Sequence, residues 1–308
     1  MTPHSSHKVA VIDVGTQSVN LLVSSKHGDI AREFASPRLG DGLTTSGKLS
    51  DDAVERALEA ISLHVQSARS HGANDVRIIG TAACRSATNG LAFVDAVARK
   101  TGVPLEVLDP TTEARYAFRG ALSHMPPHDG TSLVIDIGGG STEFSVGADE
   151  PLMSASINHG AVVVTEREIH HDPPRPEELT NAIGAVMDDV ENLALTMPQL
   201  TEPHRVIGTA GTIVTVAAIE LGLAPFVDSA VHGMILTREA AEDVFRTVAT
   251  ETLADRRHNP GLPPHRADII VAGCCILVGI MRRLHLPSLV VTTRNILDGV
   301  AADMLEAQ

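Results

Sequence analysis

A motif that occurs twice constrains this chain most. VAVIDVGTQS (Val9–Ser18) returns as LVIDIGGGST (Leu133–Thr142). Each copy is an apolar run that ends in Asp-x-Gly and continues into small hydroxylated residues. The run reads as a buried strand. The glycine allows a tight turn and lets backbone N–H groups approach an anion closely. The aspartate stands where it can hold a cation or a water. Two such loops facing each other across a cleft would grip a phosphate chain and its metal ion.

The 308 residues suffice for two domains. The net charge of -14 speaks against general nucleic-acid binding, which needs a basic face. It leaves room for a polyanionic ligand, because a few local arginines and a divalent cation reverse the sign inside a cleft. There is no Trp and one Tyr, Tyr116, so stacking platforms for bases are scarce. Cys84, Cys274 and Cys275 give neither a disulfide framework nor a zinc spacing. The adjacent pair reads as packed in an apolar helix, and the sparse set fits a reducing cytoplasm. MTPHSSHK lacks the apolar centre of a signal peptide and is expected to be a short disordered tail. The longest apolar run, Ile269–Met281, is too short to span a bilayer. Neither nucleic acid nor membrane is therefore an expected partner.

Strands are expected at Lys8–Val14, Ser18–Ser24 and Asp29–Ser36, connected as a meander. Asp51–Ser70 reads as an amphipathic helix with Val54, Leu58, Ile61, Val65 and Ala68 on one face and Ser50 as N-cap. A strand at Val76–Gly80, a helix at Leu91–Lys100, a strand at Leu105–Leu108 and a helix from near Thr112 complete an α/β alternation. The breaker-rich Ser123–Gly130 is the expected domain boundary. The second half restarts the same plan at Leu133, with strands to about Ile157 and helices at about Ala161–Ile169 and Pro176–Thr196. A short strand at Arg205–Ile207 runs into Gly208–Thr212 and a helix. Later helices are expected at Arg238–Thr247, His265–Arg283 and Leu297–Leu305.

Four small-residue loops stand at strand ends: Asp13–Ser18, Asp136–Thr142, Gly208–Thr212 and Leu39–Leu43. Hydrolysis of a phosphoanhydride needs neutralised phosphoryl oxygens, a positioned and deprotonated water, and a leaving chain held in line. Arg38, Arg85, Arg115 and Arg266 lie beside candidate loops or helix ends, and Arg85 runs straight off a strand. Among the carboxylates, Glu113 opens a helix after Asp-Pro-Thr-Thr, where it either serves as a base or complements the helix dipole. Glu143 follows the second loop and is a candidate to position water or metal. The 15 histidines show no ligand spacing, and His170-His171 are expected at the surface. Ser141 reads as a phosphate or metal contact rather than a nucleophile.

With these residues in view, the chain resembles the exopolyphosphatase and guanosine pentaphosphate phosphohydrolase family of the acetate-kinase/sugar-kinase/Hsp70/actin superfamily. The resemblance is carried by AVIDVGTQSVNLLV, RLGDGL, GTAACRSATN, TEARYAF, LVIDIGGGSTEFSVG, NHGAVVVTE (Asn158–Glu166), VIGTAGT, VHGMIL and RADIIVAGCCIL, in family order over nearly the whole chain. It implies an α/β fold of two actin-like (ribonuclease H-like) domains with an interdomain cleft. The first would run over 1–124 and the second over 125–295, with a helix at about 296–308 packing back on the first. It implies Mg²⁺, with Mn²⁺ as a substitute, and release of terminal phosphate from inorganic polyphosphate or guanosine pentaphosphate by a homodimer. Glu113 would be the base that activates water. Asp136 and Glu143 would serve metal and water. Asp13, Gly15, Thr16, Ser18, Gly138, Gly139, Gly140, Ser141, Gly208, Thr209, Gly211 and Thr212, with Arg85 and Arg266, would bind phosphates.

The chain departs from the family pattern at Thr16-Gln17-Ser18, where Ser-Asn-Ser is frequent, and at Asn20, where a basic residue is frequent. Thr112 precedes a single Glu113 where two acids are common. Asn295–Gly299 replaces Gly-Leu-Arg-Glu-Gly. The scarcity of aromatic residues favours polyphosphate over the nucleotide. A phosphotransferase and a non-catalytic polyphosphate or alarmone sensor are the other classes. The absence of a sugar-site signal opposes the first, and retention of Glu113, Asp136 and Glu143 opposes the second.

Overall fold

The computed structural model describes residues 7–307; the expected N-terminal tail falls largely on residues 1–6, outside that range. In chain order, β1 (Lys8–Val14), β2 (Val19–Ser25) and β3 (Gly28–Ala35) precede α1 (Leu43–Ser46) and α2 (Asp51–Ser70). Next come β4 (Asp75–Gly80), α3 (Ala82–Ser86), α4 (Gly90–Thr101), β5 (Leu105–Val107) and α5 (Pro110–Leu122). A second series opens with β6 (Ser132–Ile137), β7 (Thr142–Gly147), β8 (Pro151–Ile157), α6 (Ala161–Glu168) and α7 (Pro176–Thr196). It continues through β9 (Arg205–Thr209), α8 (Ala210–Glu220), α9 (Asp228–Val231), β10 (Ile235–Thr237), α10 (Arg238–Thr250) and α11 (Leu253–Arg256). The last elements are α12 (Ile270–Arg283), β11 (Ser288–Val291) and α13 (Ile296–Glu306). The chain divides into two compact units, one of residues 1–120 with 296–308, the other of 121–295.

In the first unit the sheet order is β3-β2-β1-β4-β5, antiparallel through the meander and parallel from β1 to β4 to β5. The two-residue period of β1 sorts its side chains. Ala10, Ile12 and Val14 join a core with Ile61 and Val65 of α2 and Phe93 and Val97 of α4. Val9 and Val11 join one with Tyr116 and Ala117 of α5 and Leu297, Val300 and Ala301 of α13. The C-terminal helix thus completes the other face of the first sheet. It crosses α5 closely: a Cβ on Gly299 would lie 2.0 Å from the Tyr116 carbonyl oxygen.

Ser50 caps α2 through Ala53 N at 3.3 Å. The face α2 buries includes Ile61, Val65 and Ala68 as expected and extends over its alanines. Ala53, Ala57 and Ala60 are buried, whereas Val54 and Leu58 are only partly so. Small side chains let the helix lie close on the sheet, and the larger ones pack along its margin.

The second unit repeats the plan in the order β10-β11-β9-β6-β7-β8, again a meander followed by parallel strands, with β10 added antiparallel at the edge. Its centre is α12, buried over Ile270–Met281 and packed on α6, α7, α8 and α10. A helix enclosed on all sides has no polar face, which explains its uniform apolar sequence. It starts at Ile270 rather than His265, because Pro263 and Pro264 hold the entry as a short 3₁₀ turn over Pro264–Arg266. Cys274 and Cys275 lie buried within it as free thiols. No helix among the described residues is long and apolar enough to cross a membrane.

Candidate active site

In the first unit, the expected site residues gather at the carboxyl ends of the three parallel strands, where open α/β sheets bind ligands. Asp13 is the penultimate residue of β1. After it Gly15 N–H donates to Ser18 C=O at 2.9 Å, closing the turn. The Leu39–Leu43 loop braces this turn. Arg38 N–H donates to Gln17 C=O at 3.1 Å and Gly40 N–H to Thr16 C=O at 2.9 Å. A Cβ on Gly40 would lie 2.3 Å from the Thr16 methyl. Thr16 is buried by this packing.

β4 pairs in parallel with β1, Asp13 beside Ile79. It leads through Thr81 into α3, which carries Arg85. β5 pairs with β4 and leads to Asp109, whose carboxylate accepts from Thr111 N at 2.9 Å and Thr112 N at 3.0 Å. Asp109 therefore caps α5, leaving Glu113 one turn later free of that task. Glu113 is mostly buried and ion-paired with Arg85, which also donates to Leu108 C=O at 2.9 Å. Burial lifts the Glu113 carboxyl above its ordinary pKa, and the opposing pull of Arg85 does not cancel it. Cys84, one turn from Thr81, is pushed up to about 12, first by burial and then by Asp13. Arg85 and Glu113 act on the same thiol, so Asp13, Arg85 and Glu113 share one neighbourhood.

In the second unit Gly138 N–H donates to Ser141 C=O at 3.0 Å, the counterpart of the Gly15–Ser18 turn. Asp136 faces Glu143 across the β6–β7 pair and Thr209 across the β6–β9 pair, so all three side chains share one face of the sheet. Glu143 accepts from Ser141 Oγ and, at 3.0 Å, from Ser156 Oγ. The loop rests on α6: Ala161 N–H donates to Gly138 C=O and Val162 N–H to Gly139 C=O, each at 2.9 Å. In a trans peptide the N–H points opposite the C=O. The N–H groups of Gly139 and Gly140 therefore face away from α6, on the side a phosphate oxygen would occupy.

The third loop joins β9 to α8. Thr209 Oγ1 donates to Arg294 C=O at 2.7 Å, and Ala210 takes a left-handed φ of 66°. The Arg266 guanidinium lies directly over Gly211, where a Cβ would come within 1.9 Å of it. Burial pulls its pKa down to about 10, and no acid offsets that shift. A desolvated guanidinium over a helix N-terminus is a waiting partner for an anion. Thr212 is buried and touches Gly273 of α12.

Most expected site residues thus stand at strand ends of their own units, with Arg85 and Glu113 on the helices that follow β4 and β5 and Arg266 in the 3₁₀ turn before α12. Of the other arginines weighed from sequence, Arg115 stacks on the Tyr116 ring at 5.0 Å and Arg38 holds the brace loop with φ 58°. Among the described residues no group of three or more His, Cys, Asp and Glu side chains is placed to hold a metal. The Asp136–Glu143 pair matches instead the sparse donor set of Mg²⁺, which keeps waters and takes substrate phosphates as its other ligands.

Sequence reasoning missed two buried histidines. His64 Nε2 lies 3.2 Å from Val19 C=O, beside the first turn, and His159 lies under the second. Neither has ligand spacing; a histidine directly before the glycine of Asn158–Glu166 was the only available signal. The repeat also extends further than the paired loops. Ile78-Ile79-Gly80-Thr81-Ala82 and Val206-Ile207-Gly208-Thr209-Ala210 occupy equivalent strand-to-helix turns.

Two units of ribonuclease H-like strand order, with acidic, glycine-rich turns at their strand ends, define an enzyme of the actin-like fold. The Ppx/GppA phosphatase family matches over residues 19–308, and the chain belongs to that family. It is thereby a phosphoanhydride hydrolase. It is 30% identical to Exopolyphosphatase 2 of Mycobacterium tuberculosis, over 96% of this chain and 98% of that one. An exopolyphosphatase from Cytophaga hutchinsonii has a similar structure, with TM-score 0.90, 26% identity and 98% of each chain covered. The structure of an exopolyphosphatase-like protein matches with TM-score 0.91 and 29% identity, over 97% of this chain and 99% of that one.

Proposed function

We propose that this chain is an exopolyphosphatase that removes the terminal phosphate of inorganic polyphosphate. The observation that carries the reading is Glu113. It is mostly buried, relieved of capping by Asp109, held by Arg85, and raised in proton affinity. That is the condition of a general base. Glu113 takes a proton from water as the water oxygen bonds to the terminal phosphorus. The bridging P–O bond breaks, and the shortened chain leaves with that oxygen. Arg85 orients the Glu113 carboxylate. Gly139 and Gly140 N–H groups and Arg266 neutralise phosphate oxygens. Asp136 and Glu143 would hold Mg²⁺, or Mn²⁺ in its place, which would supply Lewis-acid polarisation.

Inorganic polyphosphate is favoured over guanosine pentaphosphate by the fate of Tyr116. The only tyrosine is buried, with Arg77 and Arg115 on its ring, and so offers no platform to a base. A cytoplasmic setting is supported by the three free cysteines. The deciding assay is Mg²⁺-dependent phosphate release from long-chain polyphosphate and, in parallel, from guanosine pentaphosphate. Faster release from polyphosphate is expected. Preference for the nucleotide, or silence on both, would overturn the reading.

A further inference from the structure

His159 lies outside every role assigned above, yet the second phosphate loop is built on it. Its imidazole is buried between two helices. Nε2 lies 2.8 Å from Asp189 Oδ2 on α7, and Nδ1 lies 2.8 Å from Arg167 Nη2 on α6. A guanidinium only donates hydrogen bonds, so Nδ1 accepts and the ring's single proton sits on Nε2, donated to Asp189. The backbone of the same residue supports the loop. The His159 carbonyl accepts from Thr142 Oγ1 at 2.6 Å. The following Gly160 lies so close beneath the loop that a Cβ there would fall 2.3 Å from Gly139 and 2.4 Å from Gly140 N.

We propose that His159 is a positioning residue for the Gly138–Ser141 phosphate loop, and that protonation of its ring loosens the loop's hold on phosphate. The proposal rests on the phosphate-chain reading above. A proton on Nδ1 removes the acceptor that Arg167 uses and sets two cations face to face. Asp189 already holds the other nitrogen and gains only a charge. The charged groups that act on the ring are Arg167 and Glu168 from α6 and Asp189 from α7. Burial, with Arg167 as the largest charge effect against protonation, holds the imidazole below its ordinary pKa. The loop is therefore fixed at neutral pH and released on acidification.

The test compares wild type with His159→Gln and His159→Leu between pH 5 and 8. Glutamine keeps one acceptor for Arg167 and one donor for Asp189 but does not titrate; leucine keeps neither. In wild type, KM for polyphosphate rises as the pH falls through a midpoint below the ordinary histidine value of about 6.5, separately from any fall in kcat. The Gln variant keeps a flat KM over that range. The Leu variant shows a KM raised about 10-fold at every pH, the scale of losing an outer support. The amide NMR signals of Gly139 and Gly140 report the loop without substrate. They are expected to shift with pH in wild type and to stay still in His159→Gln. A KM and loop signals that titrate alike in wild type and the Gln variant would overturn the proposal. If polyphosphate is not turned over at all, the amide signals still decide it.

Discussion

Asn20 and Glu143 occupy the same place in two copies of one turn. Asn20 pairs across the sheet with Asp13, and Glu143 with Asp136. Asn20 Nδ2 reaches Ser18 Oγ at 3.0 Å, and Ser141 Oγ reaches the Glu143 carboxylate. The second unit therefore presents two carboxylates side by side where the first presents a carboxylate and a neutral amide. The repeat is symmetrical in backbone and asymmetrical in charge, and under the proposed function the cation would sit on the acidic side. Replacing Glu143 with Gln makes the second turn like the first. The Mg²⁺ concentration giving half-maximal phosphate release is expected to rise by about 10–100-fold, and Asp136→Asn is expected to lower turnover by orders of magnitude. An unchanged Mg²⁺ titration in both variants would remove the pair from the cation site.

Glu113→Gln keeps the shape of the side chain and removes the base. Turnover should fall by about 10²–10⁴-fold, with KM for polyphosphate little changed. Steady-state kinetics separate the two parameters, and a variant that loses affinity but keeps kcat would make Glu113 a binding residue.

Glu113 must be ionised to accept a proton. Because burial raises its pKa, kcat should be lost on acidification with a midpoint above the ordinary glutamate value of about 4.3. Arg85 opposes that rise. In Arg85→Gln the burial effect stands unopposed, so the acid limb of the kcat profile should move to higher pH. A limb that moves down instead would contradict the pairing.

Arg266 is desolvated without an acid beside it, a condition unfavourable to the empty protein and useful only with an anion. Arg266→Met should raise the thermal midpoint of the ligand-free protein while abolishing the further rise that tripolyphosphate produces in wild type. Differential scanning calorimetry reads both effects, and equal tripolyphosphate stabilisation in the two proteins would exclude Arg266 from binding.

Gly160→Ala places a methyl group against the loop backbone, which cannot swing aside as a side-chain tip would. Destabilisation of about 1–3 kcal/mol is expected, together with weaker phosphate binding, both measurable by thermal unfolding with and without tripolyphosphate.

The first strand of each unit was legible in the sequence because period and punctuation agreed there. β1 begins and ends where its apolar run does, and α2 where its cap and amphipathic pattern place it. The paired turns were legible because Asp-x-Gly leaves little other reading. β10 and β11 escaped notice: three and four residues, against the edge of a large core, are too short for a period to emerge. α3 escaped for the same reason, a five-residue helix hidden in a run of small residues. The two supporting histidines were beyond reach because their partners are remote. His64 meets Val19 from 45 residues away and His159 meets Asp189 from 30. Only the fold brings a tautomer-fixing donor and acceptor to one ring.

The return of α13 to the first sheet has a consequence for biosynthesis. Val9, Val11 and Leu22 emerge from the ribosome early, but Leu297, Val300 and Ala301, which cover them, are made only after the whole second unit. Until Ile296–Glu306 has been made, that face of the first unit is only partly covered, by α5, and its Arg32 lacks Asp298. The second unit, encoded without interruption, has all its parts before then. The first unit to be synthesised is thus the last to be finished, and a chain cut short before Ile296 would display that apolar face to chaperones and proteases as the mark of an unfinished product.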